Sequence, residues 1–229
     1  MKHFLSIDQG TTSSRAIIFN SNLEPILDAQ REYDLDYPND GWVELNPQDV
    51  LETVLASLEQ VLAEDIDIEA CGITNQRETT IVWSKSSGKP IYPGIVWQDR
   101  RTHEFCNELK LKGKEDSIKN KTGLVLDPYF SATKIKWILD NVEGAREKAE
   151  NGDLLFGTVD SYLIYMLSKE KNHFTDVTNA SRTLLFNINT MEWDNELLDL
   201  FEIPRSMMPE VLSCDGDFGL ININNYKTV

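Results

Sequence analysis

The chain has 229 residues, of which 41% are hydrophobic, and this is enough apolar material to bury one substantial core. Its formal net charge of −16 opposes attraction to nucleic acid and to anionic lipid, so we expect no nucleic acid and no membrane among its partners.

The cysteines and the first residues indicate the compartment. Cys71, Cys106 and Cys214 stand apart, without the CxxC spacing of a thiolate metal site. Isolated thiols suit a reducing compartment and argue against a disulfide framework. The opening apolar run is short and is broken by Asp8, so it lacks the long apolar core of a signal peptide or a membrane span. The sequence therefore predicts a cytoplasmic protein.

Three consecutive strands are predicted at the start, over residues 4–7, 16–19 and 25–33. The segment between the first two strands, residues 8–14, is rich in turn formers and hydroxyl side chains. This turn joins strand to strand. It therefore differs from a Walker-type phosphate loop and from a dinucleotide fingerprint, each of which opens a helix.

Helices and strands alternate further along the chain. Asn46 and Pro47 predict the start of a helix, and the apolar residues that follow recur at helical spacing and should cover the sheet. We expect strands over 68–74 and 79–83, a turn at 86–89, and helices over 102–111 and 131–142. Asp160 and Asp194 are interpreted as N-caps of two more helices. Residues 212–229 lose helical periodicity and are typical of a connecting segment.

The first cluster of residues that could bind a ligand or take part in a reaction is residues 8–15, DQGTTSSR. Asp8 offers an oxygen ligand for Mg²⁺, directly or through water, and the hydroxyls of Thr11, Thr12 and Ser13 can donate to phosphate oxygens. Arg15 can neutralise charge that develops during phosphoryl transfer. The alternative is an ordinary hairpin loop, and the residues alone leave both interpretations open.

The second cluster places Arg77 beside Glu78, between two predicted strands. A guanidinium donates to hydroxyl oxygens and a carboxylate accepts hydroxyl protons, so such a pair can bind a polyol. The alternative is a solvated surface pair of little energetic consequence.

Aromatic residues in two loops form a third group, represented by Trp97 and Tyr129. Their faces can pack on a carbon skeleton, but core anchoring is the commoner role of such residues. His3, His103 and His173 lack metal-ligand spacing, and no Gly-x-Ser-x-Gly segment occurs. Hydrolase and metalloenzyme interpretations therefore gain no support.

Five stretches together resemble the glycerol kinases of the FGGY carbohydrate kinase family, in their residues and in their order along the chain, and the likeness runs from about Phe4 to about Gly219. They are 8–15 (DQGTTSSR), 72–80 (GITNQRETT), 95–101 (IVWQDRR), 127–130 (DPYF) and 175–183 (TDVTNASRT). The resemblance implies an α/β fold of the ribonuclease H-like, actin-type ATPase class, a mixed sheet flanked by helices. Residues 1–229 then form the amino-terminal one of two domains that face each other across a cleft.

The resemblance also implies roles for individual residues. Thr11, Thr12, Ser13 and Arg15 become contacts of the nucleotide phosphates, and Asp8 lies near the metal. The glycerol ligands become Thr11, Arg77, Glu78 and Tyr129, with Trp97 as an apolar wall behind the carbon atoms. The implied ligands are ATP or ADP, Mg²⁺ and glycerol, and the reaction is transfer of the γ-phosphoryl group to a terminal glycerol hydroxyl.

The family's catalytic base, an aspartate in a Gly-Asp-Gln segment, has no counterpart in the sequence. We therefore expect the chain to be inactive alone and to need a second kinase domain in cis or in trans. An alternative is a non-catalytic module that binds glycerol or a protein partner. A nucleic-acid-binding domain of the same fold is disfavoured by the charge. Homo-oligomer formation is left open.

Overall fold

The computed structural model describes residues 2–63 and 66–221, which fold into β-strands and α-helices. The strands are β1 His3–Gln9, β2 Ser13–Phe19, β3 Pro25–Glu32, β4 Glu44–Leu45, β5 Ile68–Asn75, β6 Ile81–Ser84, β7 Gly94–Ile95, β8 Leu154–Gly157, β9 Phe174–Asp176, β10 Phe186–Asn187, β11 Glu192–Trp193 and β12 Glu210–Leu212. The helices are α1 Pro47–Leu62, α2 His103–Leu111, α3 Glu115–Thr122, α4 Ser131–Asn141, α5 Ala145–Glu150, α6 Val159–Leu167, α7 Val177–Ala180 and α8 Asn195–Leu200, with a 3₁₀ turn at Arg205–Met207.

A four-stranded mixed sheet in the order β3-β2-β1-β5 forms the base of the fold. The first three strands are the predicted antiparallel meander, whereas β5 lies parallel to β1. Helix α1 packs on β2 and β3 and buries its apolar stripe, including Val54 and Leu58, as the sequence predicted. Asn46 caps this helix by accepting a hydrogen bond from the Gln48 N–H at 3.1 Å.

Two hydrophobic cores lie on either side of the β6-β8 ribbon. Ile81 and Trp83 of β6 belong to the core beneath the main sheet, and Val82 between them belongs to the core of the helical part. Successive side chains of a strand point to opposite faces, so one ribbon contributes to both cores. The ribbon thereby fixes the helical part of the chain against the sheet.

Most predicted elements are confirmed, and one capping prediction is wrong. Asp194 accepts a hydrogen bond from the Leu197 N–H at 3.1 Å, as an N-cap does. Asp160 instead lies inside the first turn of α6, which Thr158 precedes as the capping residue. Its buried carboxylate accepts hydrogen bonds from the hydroxyls of Thr158 and Thr175, and burial raises its pKa to about 6.

The structure follows the predicted connecting segment, 212–229, as far as residue 221, and residues 222–229 lie outside the described part of the chain. Among the described residues, no helix has the length and apolar character needed to cross a membrane.

Candidate functional site

The two polar clusters of the sequence meet at one edge of the sheet. Because β1 and β5 are parallel, their carboxyl ends lie side by side, with Gln9 opposite Asn75. The Gln76 N–H extends this pairing by donating to the Gln9 carbonyl at 2.7 Å. The turn after β1 and the turn after β5 therefore form neighbouring walls of one site.

A buried hydrogen-bond network holds the two turns together. The amides of Gln9 and Gln76 donate to the Tyr33 hydroxyl at 2.7 and 2.9 Å, and that hydroxyl donates to the Gly10 carbonyl at 2.6 Å. Burial raises the pKa of Tyr33 to about 12, so its hydroxyl keeps its proton at neutral pH. Gln76 also accepts a hydrogen bond from Thr79 at 2.9 Å, which fixes the start of the second turn.

The turn after β1 is tight and presents hydroxyl groups. The Gly10 N–H donates to the Ser13 carbonyl at 2.8 Å, and a Cβ at Gly10 would approach that oxygen to 3.3 Å. Thr12 is exposed, and Thr11 and Ser13 are half-buried. The hydroxyl oxygen of Thr11 accepts a hydrogen bond from Trp97, which leaves its own proton free for a ligand.

Asp8 and Arg15 are directly opposite one another in the β1-β2 pairing and so project from the same face of the sheet. Asp8 is exposed, and the Arg15 guanidinium makes hydrogen bonds of 2.9 and 3.2 Å to the Asp28 carboxylate. Within residues 2–63 and 66–221, no group of three or more His, Cys, Asp or Glu side chains gathers around a common point. Asp8 therefore belongs to no such group, and as a single exposed carboxylate it could serve a metal already held by phosphate oxygens.

Glu78 and Arg77 are adjacent in the sequence, but the first is buried and the second is exposed. Glu78 is only 2% exposed and has a left-handed backbone with φ of 65°. Its carboxylate pairs with Arg182, whose Nε donates to Oε1 at 2.6 Å. Arg77 is exposed and lines an open cleft that also contains Asn75 and Asn179. The predicted pair is therefore a buried carboxylate beside a solvent-facing cation.

Trp97 and Tyr129 are brought to the same place from two distant loops. The indole Nε1 of Trp97 donates to the Thr11 hydroxyl at 3.1 Å, and its backbone N–H donates to the Thr79 hydroxyl at 3.3 Å. The ring centroids of Trp97 and Tyr129 are 5.5 Å apart. Both side chains are half-buried, so each keeps part of its ring for a ligand.

The rest of the loop around Trp97 is structural, as the alternative interpretation held. Arg101 has no exposed side-chain surface and pairs with Glu44 at 2.7 Å and with Asp99 at 2.8 Å. Its guanidinium also stacks on the Trp42 ring, 3.9 Å from the centroid. This network anchors the loop that carries Trp97.

Two cations that the sequence analysis assigned no role lie beside Glu78. The first is Arg182, which belongs to the quoted stretch 175–183. The second is Lys134, a fully buried residue of α4 whose ammonium nitrogen donates to the Tyr129 carbonyl at 2.6 Å and to the Glu78 carbonyl at 3.3 Å. Burial lowers the pKa of Lys134 to about 7, although nearby carboxylates, first that of Asp99, oppose the shift. A lysine on the buried face of a predicted helix was the signal that could have revealed it.

Comparisons with known proteins identify the family of this domain. Residues 3–229 match the amino-terminal domain of the FGGY family of carbohydrate kinases. Glycerol kinases of Alteromonas mediterranea and Bacillus cereus are each 58% identical to the chain, over 96% and 95% of its length. The chain covers 46% and 45% of those proteins, so it spans about half the length of the curated relatives it matches.

Solved structures agree with these matches. The crystal structure of Plasmodium falciparum glycerol kinase with ADP superposes with a TM-score of 0.94 at 34% identity, over 100% of this chain and 47% of that one. Gluconate kinase from Lactobacillus acidophilus superposes with a TM-score of 0.85 at 22% identity, over 100% of this chain and 44% of that one, and this likeness speaks for the fold alone. The expected fold class, an actin-type ATPase domain with a mixed sheet flanked by helices, is confirmed. The chain belongs to the FGGY family of carbohydrate kinases and matches its amino-terminal domain.

Proposed function

We propose that this chain provides the acceptor site and part of the phosphate site of an ATP-dependent glycerol kinase, which forms sn-glycerol 3-phosphate and ADP. The observation that carries this proposal is that Trp97 contacts both Tyr129 and Thr11 of the hydroxyl-rich turn after β1, while Lys134 links the Tyr129 carbonyl to that of Glu78. The names of the relatives, glycerol kinases at 58% identity, support the same acceptor.

Glycerol would bind between a carboxylate, a cation and two aromatic rings. Arg182 occupies Oε1 of Glu78, and Oε2 remains to accept a hydroxyl proton. Arg77 would donate to a second hydroxyl from the solvent side, and Tyr129 and Thr11 would add further hydrogen bonds. Trp97 would cover the carbon atoms, which need only apolar contact. A site of this kind rejects alcohols that lack the hydroxyl bound by Glu78, because Oε2 of the buried carboxylate would then have no hydrogen-bond donor.

The phosphate chain of ATP would lie along the turn after β1. Thr11, Thr12 and Ser13 would donate hydroxyl hydrogen bonds to phosphate oxygens, and Arg15 would exchange its exposed partner Asp28 for phosphate. Asp8 is the residue that would hold Mg²⁺ directly or through water, and the bound ion would neutralise phosphate charge. These side chains are exposed or half-buried and so are accessible to a nucleotide.

The reaction itself would be an in-line transfer in which the terminal hydroxyl of glycerol attacks the γ-phosphorus while ADP leaves. The hydroxyl proton passes to a general base, which we expect in a part of the kinase that these residues do not include. The adenine contacts belong to the second domain. The chain alone should therefore bind glycerol weakly, in the millimolar range or worse, because each lost hydrogen bond to a charged group costs roughly 1.5–3 kcal/mol. It should also fail to exclude the water that competes with glycerol.

A coupled assay of ADP release with Mg-ATP and glycerol tests the proposal. The chain is measured alone and after addition of a separately expressed carboxy-terminal half of one of the glycerol kinase relatives. We expect activity only in the mixture, and its loss in Arg77→Ala but not in Arg31→Ala, which removes an exposed arginine that bonds Gln60. Turnover by the chain alone would contradict the expectation that these residues lack the base. Inactivity of the mixture, with both parts folded, would favour a non-catalytic module.

A further inference from the structure

The stretch 175–183 is one of the five that resemble the glycerol kinases, and its role in the site needs an explanation. In the structure it forms the end of β9, the short helix α7 and the turn that follows. Asp176 caps α7 by accepting a hydrogen bond from the Asn179 N–H at 2.8 Å, and it also holds the Asn179 side chain at 2.9 Å. This cap leaves the rest of the Asn179 amide free to face β5.

The stretch contacts the carboxyl end of β5 at two points. Asn179 and Asn75 exchange side-chain hydrogen bonds of 3.0 and 3.2 Å. Three residues farther along, the Arg182 Nε donates to the Glu78 carboxylate at 2.6 Å. The Arg182 guanidinium also lies over the Phe130 ring, 4.9 Å from its centroid, so it is held by packing as well as by charge.

We propose that Arg182 is a positioning and specificity-determining residue of the acceptor site, acting through the Glu78 carboxylate, with Asn179 fixing the strand end beside it. This inference rests on the proposed function, because it assigns Arg182 to the glycerol pocket. Burying a carboxylate that is 2% exposed costs free energy unless a partner cation compensates for the lost water. Arg182 binds one carboxylate oxygen and so fixes the carboxylate, which leaves the other oxygen for the acceptor hydroxyl.

Other groups fix the backbone of Glu78 independently of Arg182. The Glu78 carbonyl accepts hydrogen bonds from the Ser131 hydroxyl at 3.2 Å and from Lys134 at 3.3 Å. Lys134 cannot replace Arg182, because its nitrogen is engaged by two backbone carbonyls and burial lowers its pKa to about 7. Loss of Arg182 should therefore leave the left-handed turn in place and release only the carboxylate.

The test uses the mixture of this chain with the carboxy-terminal half and compares Arg182→Met, Arg182→Lys and a control, Arg146→Met. Arg146 is a matched residue, since its side chain is 29% exposed against 28% for Arg182 and it pairs with Asp140. We expect Arg182→Met to raise the KM for glycerol about 10- to 100-fold and to change the KM for ATP by about twofold or less. Arg182→Lys should recover part of the glycerol affinity, because it keeps a cation without the fixed guanidinium geometry.

Selectivity is the second readout, because a merely structural role would not change it. The wild type should prefer glycerol to propane-1,2-diol and propane-1,3-diol, each of which lacks one hydroxyl, and Arg182→Met should lose about 10-fold or more of the preference against one of them. Circular dichroism melting checks that the variants are folded. If Arg182→Met fails to fold, Arg182→Lys carries the test.

The outcomes separate the two claims. An active wild type with Arg182 variants that behave like Arg146→Met overturns the role of Arg182 and leaves the proposed function intact. Equal losses for glycerol, ATP and both diols also overturn it, since they indicate general damage. A wild-type mixture that does not phosphorylate glycerol overturns the proposed function, and this inference falls with it.

Discussion

Lys134 gives a prediction that can be worked out from the structure. Its side chain is fully buried, and burial lowers its pKa from 10.5 to about 7. The unfolded chain therefore binds a proton at this lysine between about pH 7 and 10.5, whereas the native chain largely does not. The free energy of unfolding therefore rises with pH across this window. As the pH falls, the native chain is destabilised because the buried amine must stay neutral or be protonated at a cost.

The magnitude comes from the same two values. One pH unit of differential proton binding corresponds to about 1.36 kcal/mol. With native and unfolded values of about 7 and 10.5, integration from pH 7, where the native lysine is half protonated, to pH 9 gives about 2 kcal/mol. Between pH 7 and pH 9 the free energy of unfolding of the wild type should therefore rise by about 2 kcal/mol more than that of Lys134→Met, which has no amine to titrate.

The assay is urea unfolding followed by far-UV circular dichroism at both pH values, on wild type, Lys134→Met and Lys136→Met. The neighbouring Lys136 is the control, because Glu202 and Asp140 raise its pKa, so its contribution stays constant in this window. The packing cost of the Met side chain cancels when each variant is compared with itself at two pH values. If the wild type and Lys134→Met show parallel pH dependence, the reasoning about the buried amine is refuted.

Two further predictions concern buried polar groups. Tyr33→Phe removes the hydroxyl that receives hydrogen bonds from Gln9 and Gln76, and it should lower the free energy of unfolding by about 1–3 kcal/mol in urea titrations; an unchanged midpoint would contradict the network. Burial lowers the pKa of His173 from 6.5 to about 4, so only the unfolded chain is protonated between those values and stability falls as the pH drops. From pH 7 to pH 5 the wild type should lose about 2 kcal/mol more than His173→Gln, and equal losses in urea titrations at the two pH values would refute this assignment.

The sequence predicted the elements better than their partners. The helix at Pro47–Leu62 and the first three strands carry strong local signals, namely an N-cap with a following proline and alternation in strands bounded by turns. The capping prediction for Asp160 was wrong because an aspartate is common both at the N-cap and within the first turn of a helix, and the sequence alone does not distinguish the two positions. One of its two hydroxyl donors, Thr158, is close in the sequence, whereas the other, Thr175, lies 15 positions away in strand β9.

The candidate site was predictable as a set of residues but not as a set of contacts. Arg77 and Glu78 are adjacent, and the residues alone left open whether they bind a polyol together or form a solvated surface pair. Glu78 instead pairs with Arg182, which is 104 positions away in the chain. Local propensity carries no information about such long-range contacts, and only the packing of β5 against the segment after α7 creates this one. The stretch 175–183 is part of the resemblance, and in the structure it contacts Asn75 and Glu78.

The two halves of the candidate site differ in how firmly the chain holds them. Glu78 has a partner for its carboxylate and two for its carbonyl, all buried or half-buried, so its position is set before any ligand arrives. Asp8 and Thr12 are exposed, and the ion pair of Arg15 with Asp28 is a surface pair worth little energetically. Under the proposed function, the acceptor side would lose little entropy on binding and would discriminate strongly, whereas the phosphate side would be ordered by the nucleotide and its metal. If the proposed function is right, acceptor choice is built into this domain, and the geometry of transfer is completed when the second domain closes on ATP.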